Sequence, residues 1–200
     1  MAERFTQEPF SIGLPQGDSL LRDMVNFTLQ DMKSDGSYDT LYKRWFPTDE
    51  PYAVEFSPGQ WPYTFDKLPN TPVTVNASQI ETILKRGRLV VGVHQNFPVF
   101  SEEDSSGQRK GFDLDVAHEF ARRWLGNAEA VDFVADDPTS LIGQLASGQV
   151  DLVAAALVQQ RDWAAQIDFS QTYVGPPLAS QPLSLGLPQN DSAFRELVNV

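Results

Sequence analysis

Side chains able to do chemistry are sparse in this sequence. Of 200 residues none is cysteine, and the two histidines, His94 and His118, stand 24 positions apart and outside any H-E-x-x-H pattern. A chain without cysteine has no thiol nucleophile, no disulfide, no thiolate metal site and no iron–sulfur cluster. Acidic residues do cluster, as Glu102-Glu103-Asp104 and Asp136-Asp137. Both clusters read as turns, where a solvated carboxylate is the ordinary occupant. No nucleophile–base pairing, G-x-S-x-G elbow or phosphate loop is present. The expectation is a protein that is not an enzyme and needs neither metal nor cofactor. A formal net charge of −12 and a pI near 4.4 oppose contact with phosphate backbones, so nucleic acid is not an expected partner.

The elements that must position whatever site exists come next. Hydrophobic residues make up 41% of the chain, thirteen of them Phe, enough for a folded core. The longest apolar run, Leu152 to Val158, has seven residues, far short of the roughly 20 of a membrane helix. From Ser78 to Val174 strand and helix patterns alternate. Ile80, Ile83 and Leu84 form a short amphipathic lead-in, and Leu89 to Val93 a β-rich run. Gly111-Phe112-Asp113 opens a helix whose Ala117, Phe120, Ala121, Trp124 and Leu125 recur at helical spacing until Gly126. Val131 to Val134 is the next strand. Asp137-Pro138 starts a helix closed by Gly148, with a capping carboxylate before proline. Leu152 to Leu157 reads as a fully buried strand, Arg161 to Ile167 as a short helix and Phe169 to Val174 as an extended run. Such alternation implies βαβ units and a mainly parallel sheet with helices on both faces.

An internal repeat brackets this region. Pro9 to Phe27, PFSIGLPQGDSLLRDMVNF, and Pro182 to Val200, PLSLGLPQNDSAFRELVNV, lie 173 positions apart and share 11 of 19 residues. Each copy reads as a buried strand, a turn with an Asp helix cap, and an amphipathic helix. The first copy continues through Leu29 and Met32 to a stop at Gly36 and a second short helix with Tyr38, Leu41, Tyr42 and Trp45. Between Pro47 and Pro72 six prolines alternate with Tyr52, Phe56, Trp61, Tyr63 and Phe65. That density excludes long regular structure and reads as a linker lying against a surface.

In combination these segments resemble a known family. GRLVVGV (87–93), NFPVFSEEDSSGQRKGFDLDVAHEFARRWL (96–125), LIGQLASGQVDLVAAAL (141–157) and IDFSQTYV (167–174) are similar to the first lobe of the bacterial family 3 extracellular solute-binding proteins. Those are the amino-acid-binding components of ABC importers. PFSIGLPQGDSLLRDMVNFTLQDMKSDGSYDTLYKRWF (9–46) resembles the family's C-terminal end, which returns to complete that lobe. The resemblance implies a periplasmic binding protein type II-like single lobe of α/β class, mainly parallel with one antiparallel strand. Residues 1–46 are then the C-terminal element of a lobe, 47–74 a linker, 75–178 the βαβαβ lobe and 179–200 a truncated second copy. The strand of either copy suits the reversed place in the sheet; residues 1–46 are favoured because only that copy keeps both helices.

The resemblance also implies site residues. Phe97 and Phe100 fall in the loop that stacks the ligand side chain in the family, with Asn96 and Ser101 as polar neighbours. Aligned on Asp151 and Phe169, Gln160 falls on a hydroxyl position and Trp163 on the position of the Arg that pairs with a ligand carboxylate. An indole has one N–H and no charge, so it cannot replace a bidentate guanidinium fork; Arg161, two residues earlier, is the substitute within reach. Phe112 and Asp113 read as core anchor and helix cap, Asp168 and Ser170 as structural. Only GPPLASQ separates Val174 from Pro182, where the family has a second lobe. The expectations are weak or no binding of a small polar ligand such as an amino acid, a periplasmic or extracellular setting, and an ABC permease as partner. A sensory module joined to a receptor membrane domain is the alternative, and the repeat raises a domain-swapped homo-oligomer as a third. Met1-Ala-Glu-Arg-Phe is not a charged-then-apolar leader.

Overall fold

Leu152–Val158 (β6) forms the middle strand of a five-stranded sheet in the computed structural model, which describes residues 9–53 and 78–175. The other strands are β1 (Phe10–Pro15), β2 (Leu89–His94), β5 (Val131–Asp136) and β7 (Ile167–Val174), in the order β5-β2-β6-β1-β7. β2 runs parallel to β5 and β6, and β1 lies antiparallel between β6 and β7. The lobe is therefore the expected mainly parallel α/β sheet with one reversed strand. That strand belongs to the first copy of the repeat; the second copy and most of the proline-rich stretch lie outside the described residues.

Side chains of a strand alternate between faces, and β6 divides the core accordingly. Leu152 and Ala154 enter one cluster with residues of α1 (Ser19–Ser34), α2 (Ser37–Trp45), α3 (Gln79–Arg86) and α4 (Phe112–Leu125). Val153, Ala155 and Leu157 enter a second with Leu141, Ile142 and Leu145 of α5 (Pro138–Ala146). Helix starts follow their caps. Asp18 accepts from the Leu21 N–H (3.0 Å) at α1, and Asp137 accepts from those of Thr139 and Ser140 (3.0 and 3.1 Å) at α5, each satisfying donors the helix itself leaves open.

Residues 9–46 are integral to the lobe. Tyr38 donates to the Tyr173 carbonyl, Trp45 to Asp115 (2.7 Å), and Arg123 of α4 to Asp35 (2.6 Å). Asp18 also accepts from the Gln79 N–H (2.7 Å), joining α1 to α3. Tyr52 is buried in the same cluster, so the proline-rich stretch begins packed on the lobe.

Local expectations change at several places. Asp136 is not a turn residue but the last residue of β5, and Asp137 caps α5. Glu102 and Glu103 are not turn residues but a short strand, β3 (Glu102–Glu103), paired antiparallel with β4 (Arg109–Lys110). Their charges face Lys110 (3.4 Å) and Arg109 (2.9 Å) across the hairpin, and Asp104 alone makes the turn, accepting from the Ser106 and Gln108 N–H groups (2.8 and 3.0 Å). The helix read from Arg161 to Ile167 is one turn, α6 (Arg161–Ala164), because Ile167 is already buried in β7.

Candidate functional site

β2 and β6 are adjacent parallel strands whose following segments leave in opposite directions, α4 toward β5 and α6 toward β7. A crevice opens outside the carboxyl ends of such strands, and ligands of open α/β sheets bind there. Here those ends are followed by residues 95–97 after β2 and 159–161 after β6.

The β2 side is a rigid loop. Phe97 and Ser101 exchange backbone hydrogen bonds (2.7 and 2.8 Å), and between them Val99 is held at φ 74°, a strained state for a β-branched residue. The loop supplies what α4 lacks: with no side-chain cap at its start, the Phe112 and Asp113 N–H groups donate to the carbonyls of Val99 and Phe100 (2.8 and 3.1 Å). Only glycine fits the junction. Gly111 sits at φ 154°, and a Cβ there would lie 2.0 Å from the Phe100 carbonyl oxygen. His94 closes the strand end; its Nδ1 accepts from the Asn96 N–H (3.1 Å), and partial burial lowers its pKa against the opposing pull of the Asp137 carboxylate.

The β6 side is bulged. The register against β1 shifts between Ser11 and Gly13, and Ala156 adopts φ 49°. Below it runs a buried polar chain. Tyr38 donates to the carbonyl of Tyr173, whose hydroxyl donates to Asp113 Oδ1 (2.6 Å). Complete burial raises the Asp113 pKa to about 7, against the opposing pull of the Tyr173 hydroxyl and the Ala156 N–H. Burial likewise pushes both tyrosine hydroxyls well above their ordinary value.

The sequence-derived residues separate on this frame. Phe97 is half-buried at the mouth, its ring stacked on Phe100 (centroids 5.3 Å apart). Phe100 itself is 1% exposed and meets Phe10 edge-on at 5.3 Å; it supports Phe97 from the core and does not face the crevice. Ser101 is fully buried and faces no ligand either, while Asn96 is exposed. Gln160 and Arg161 are exposed where β6 ends, and among the described residues Arg161 has no ion pair. Trp163 is half-buried and packs against the α5-side cluster. Asp113 is not a helix cap, since Gly111 holds that position. Sequence reasoning missed Gln159, whose amide donates to Ser11 Oγ (3.0 Å) and the Ser170 carbonyl (3.4 Å), tying β6, β1 and β7 together at this edge. A single glutamine after a strand carries no signal for that role. Among the described residues no three His, Asp or Glu side chains are placed to hold a metal, and no helix is long and apolar enough to cross a membrane.

The profile of the bacterial extracellular solute-binding proteins, family 3, matches residues 89–199, over half of the chain and including the second copy of the repeat. The chain belongs to this family. Among family relatives, the glutamine-binding protein of Geobacillus stearothermophilus is 27% identical over 109 residues, which are 54% of this chain and 42% of that protein. The ABC transporter glutamine-binding protein GlnH of Bacillus subtilis (strain 168) is 47% identical over 45 residues, 22% of this chain and 16% of that one. The crystal structure of the solute receptor for L-cysteine of Neisseria gonorrhoeae aligns at 31% identity and a TM-score of 0.42, covering 44% of this chain and 36% of that one. The chain thus spans less than half the length of these solute-binding relatives.

Proposed function

We propose that the described lobe is one jaw of an amino-acid-binding cleft of the ABC-importer type, and that this chain holds a free amino acid weakly or not at all. Residues 1–46 complete the lobe formed by 75–178, residues 47–74 connect them, and 179–200 are the second copy. Phe97, Gln160 and Arg161 offer a stacking face and polar contacts, with Phe100 acting through Phe97. The setting is the periplasm or the cell exterior, the partner an ABC permease.

The observation that carries this reading is the placement of Trp163. The position where the family resemblance calls for a carboxylate-binding arginine holds an indole packed into the α5-side cluster. An exposed Arg161 on the single turn of α6 is a poor substitute, because a guanidinium in water gains little from a carboxylate that an enclosed fork would bind strongly. Seven residues, 175–181, separate β7 from the second copy, too few for an opposing lobe. A ligand on one jaw buries far less of its surface than the 70–90% of an enclosed pocket, and water weakens each polar contact. Calorimetric titration of the chain with the common amino acids is expected to give no dissociation constant tighter than millimolar; a micromolar value for any of them overturns the reading.

A further inference from the structure

Among the described residues, the non-glycine residues held in the left-handed region are Val99 (φ 74°) and Ala156 (φ 49°). They stand on opposite flanks of the crevice, one in the loop after β2 and the other near the end of β6. Such backbone states persist only where the surroundings enforce them, and here the first turn of α4 meets both. The Phe112 N–H donates to the Val99 carbonyl (2.8 Å) and the Asp113 N–H to that of Phe100 (3.1 Å). The Asp113 carboxyl meets the Ala156 N–H, which favours its charged form. One residue thus touches the loop through its backbone and the bulge through its side chain.

That carboxyl is short of partners. Asp113 is fully buried; Oδ1 accepts from the Tyr173 hydroxyl (2.6 Å), and Oδ2 has no partner within hydrogen-bond geometry. The charged groups of the elements packed around it are engaged elsewhere. Arg44 of α2 pairs with Asp115 (2.9 Å), and Arg109 and Lys110 of β4 with Glu103 and Glu102 (2.9 and 3.4 Å). Lys33 of α1 pairs with Asp39 (2.5 Å), and His94 at the end of β2 holds the Asn96 N–H. β6 and the loop 97–101 carry no titratable side chain. On the β7 side stands Tyr173, with Tyr38 bonded to its carbonyl and Tyr42 beside Tyr38 at 5.8 Å. A carboxylate buried without a cation is costly, so this pocket holds the neutral acid best.

We propose that Asp113 is the positioning residue of the crevice: its protonated carboxyl holds the β6 bulge and the loop after β2 in one arrangement, and its ionisation loosens both flanks together. The charge formed on Oδ2 has no donor where it stands, so it is relieved only by a shift of the bulge or by entry of water, and the α4 start that carries it also bears the loop. With the carboxyl titrating at about 7, the arrangement is set below that pH and released above it. This regulation rests on the reading of that edge as a binding crevice; because it is measured without ligand, its failure leaves the affinity test of that reading untouched.

The test is a pH titration of the isotope-labelled full chain, without ligand, followed by amide chemical shifts. The amides of residues 99–101 and 156–158 are expected to move together, with one midpoint near pH 7. Asp113→Asn should abolish the movement on both flanks. Tyr173→Phe removes a hydroxyl that favours the charged carboxyl and should raise the midpoint on both, while His94→Gln should leave it in place. Flanks that do not move, that move singly or with different midpoints, or that still move in Asp113→Asn overturn the proposal. So does an unmoved midpoint in Tyr173→Phe, and a transition lost in His94→Gln assigns the effect to the imidazole instead. Should Asp113→Asn fail to fold, the unmodified chain and Tyr173→Phe decide.

Discussion

The two faces of the sheet are built on different principles. The α5 side is aliphatic: Leu141, Ile142, Leu145, Val150, Val153, Ala155, Leu157 and Ile167 pack there with Trp163 and Phe169 at the margin. The other side is aromatic and hydrogen-bonded. Phe112 stacks on Tyr173 at 6.0 Å and meets Tyr42 edge-on at 5.8 Å. Trp124 donates to Thr28 (3.0 Å), and the Tyr38–Tyr173–Asp113 chain runs beneath the carboxyl ends of the strands. An aliphatic face needs volume and tolerates repacking, whereas a buried polar face needs every partner in place. The strained loop of the candidate site rests on the second kind.

That contrast can be broken at its most rigid point first. Gly111→Ala sets a methyl against the Phe100 carbonyl with no flexible neighbour to yield, and should cost more than about 4 kcal/mol in denaturant unfolding. The aliphatic face should respond by volume alone. Leu145→Ala is expected to lose about 3 kcal/mol, within the usual range for a buried leucine, by the same amount at every pH. The polar face should instead be pH-dependent. With the Asp113 carboxyl at about 7 when folded against an ordinary 3.8, the native state keeps a proton that the unfolded chain has released. Its contribution to stability is therefore present at low pH and is lost as pH rises toward 7. Thermal or urea melts should show about 2 kcal/mol of loss between about pH 5 and pH 7, levelling off above about pH 8, and Asp113→Asn should abolish this slope. A slope that survives the substitution would assign the effect to another group.

Most of the aliphatic side was legible in the sequence, because an unbroken apolar run and an Asp-Pro helix start are local signals. β6 and α5 lie where those signals place them, and the inserted strand β1 is the one that the family resemblance of residues 9–46, with both its helices, favours over the second copy. Other features depend on partners far away in the chain. The β3–β4 hairpin has only two charged residues on each strand and no alternation of apolar side chains, so its carboxylates looked like turn residues. Asp113 follows a glycine at a helix start, which reads as a cap; only the fold brings Tyr173 to it. Ala156 sits in a run of three identical residues, and nothing local marks which one takes the bulge. At the candidate site, Phe97 and Phe100 look equivalent in sequence, yet the tight turn between them sends one ring to the mouth and the other into the core.

An open half-cleft without a carboxylate clamp at the carboxyl edge of β2 and β6, as proposed, can hold an amino acid only weakly. Titrating isotope-labelled chain with glutamine, followed by amide chemical shifts, tests location and strength together. Shifts confined to residues 94–100 and 158–163 that fail to saturate below millimolar ligand, or no shifts at all, are expected. Saturation at micromolar glutamine, or shifts centred on another part of the lobe, would contradict it.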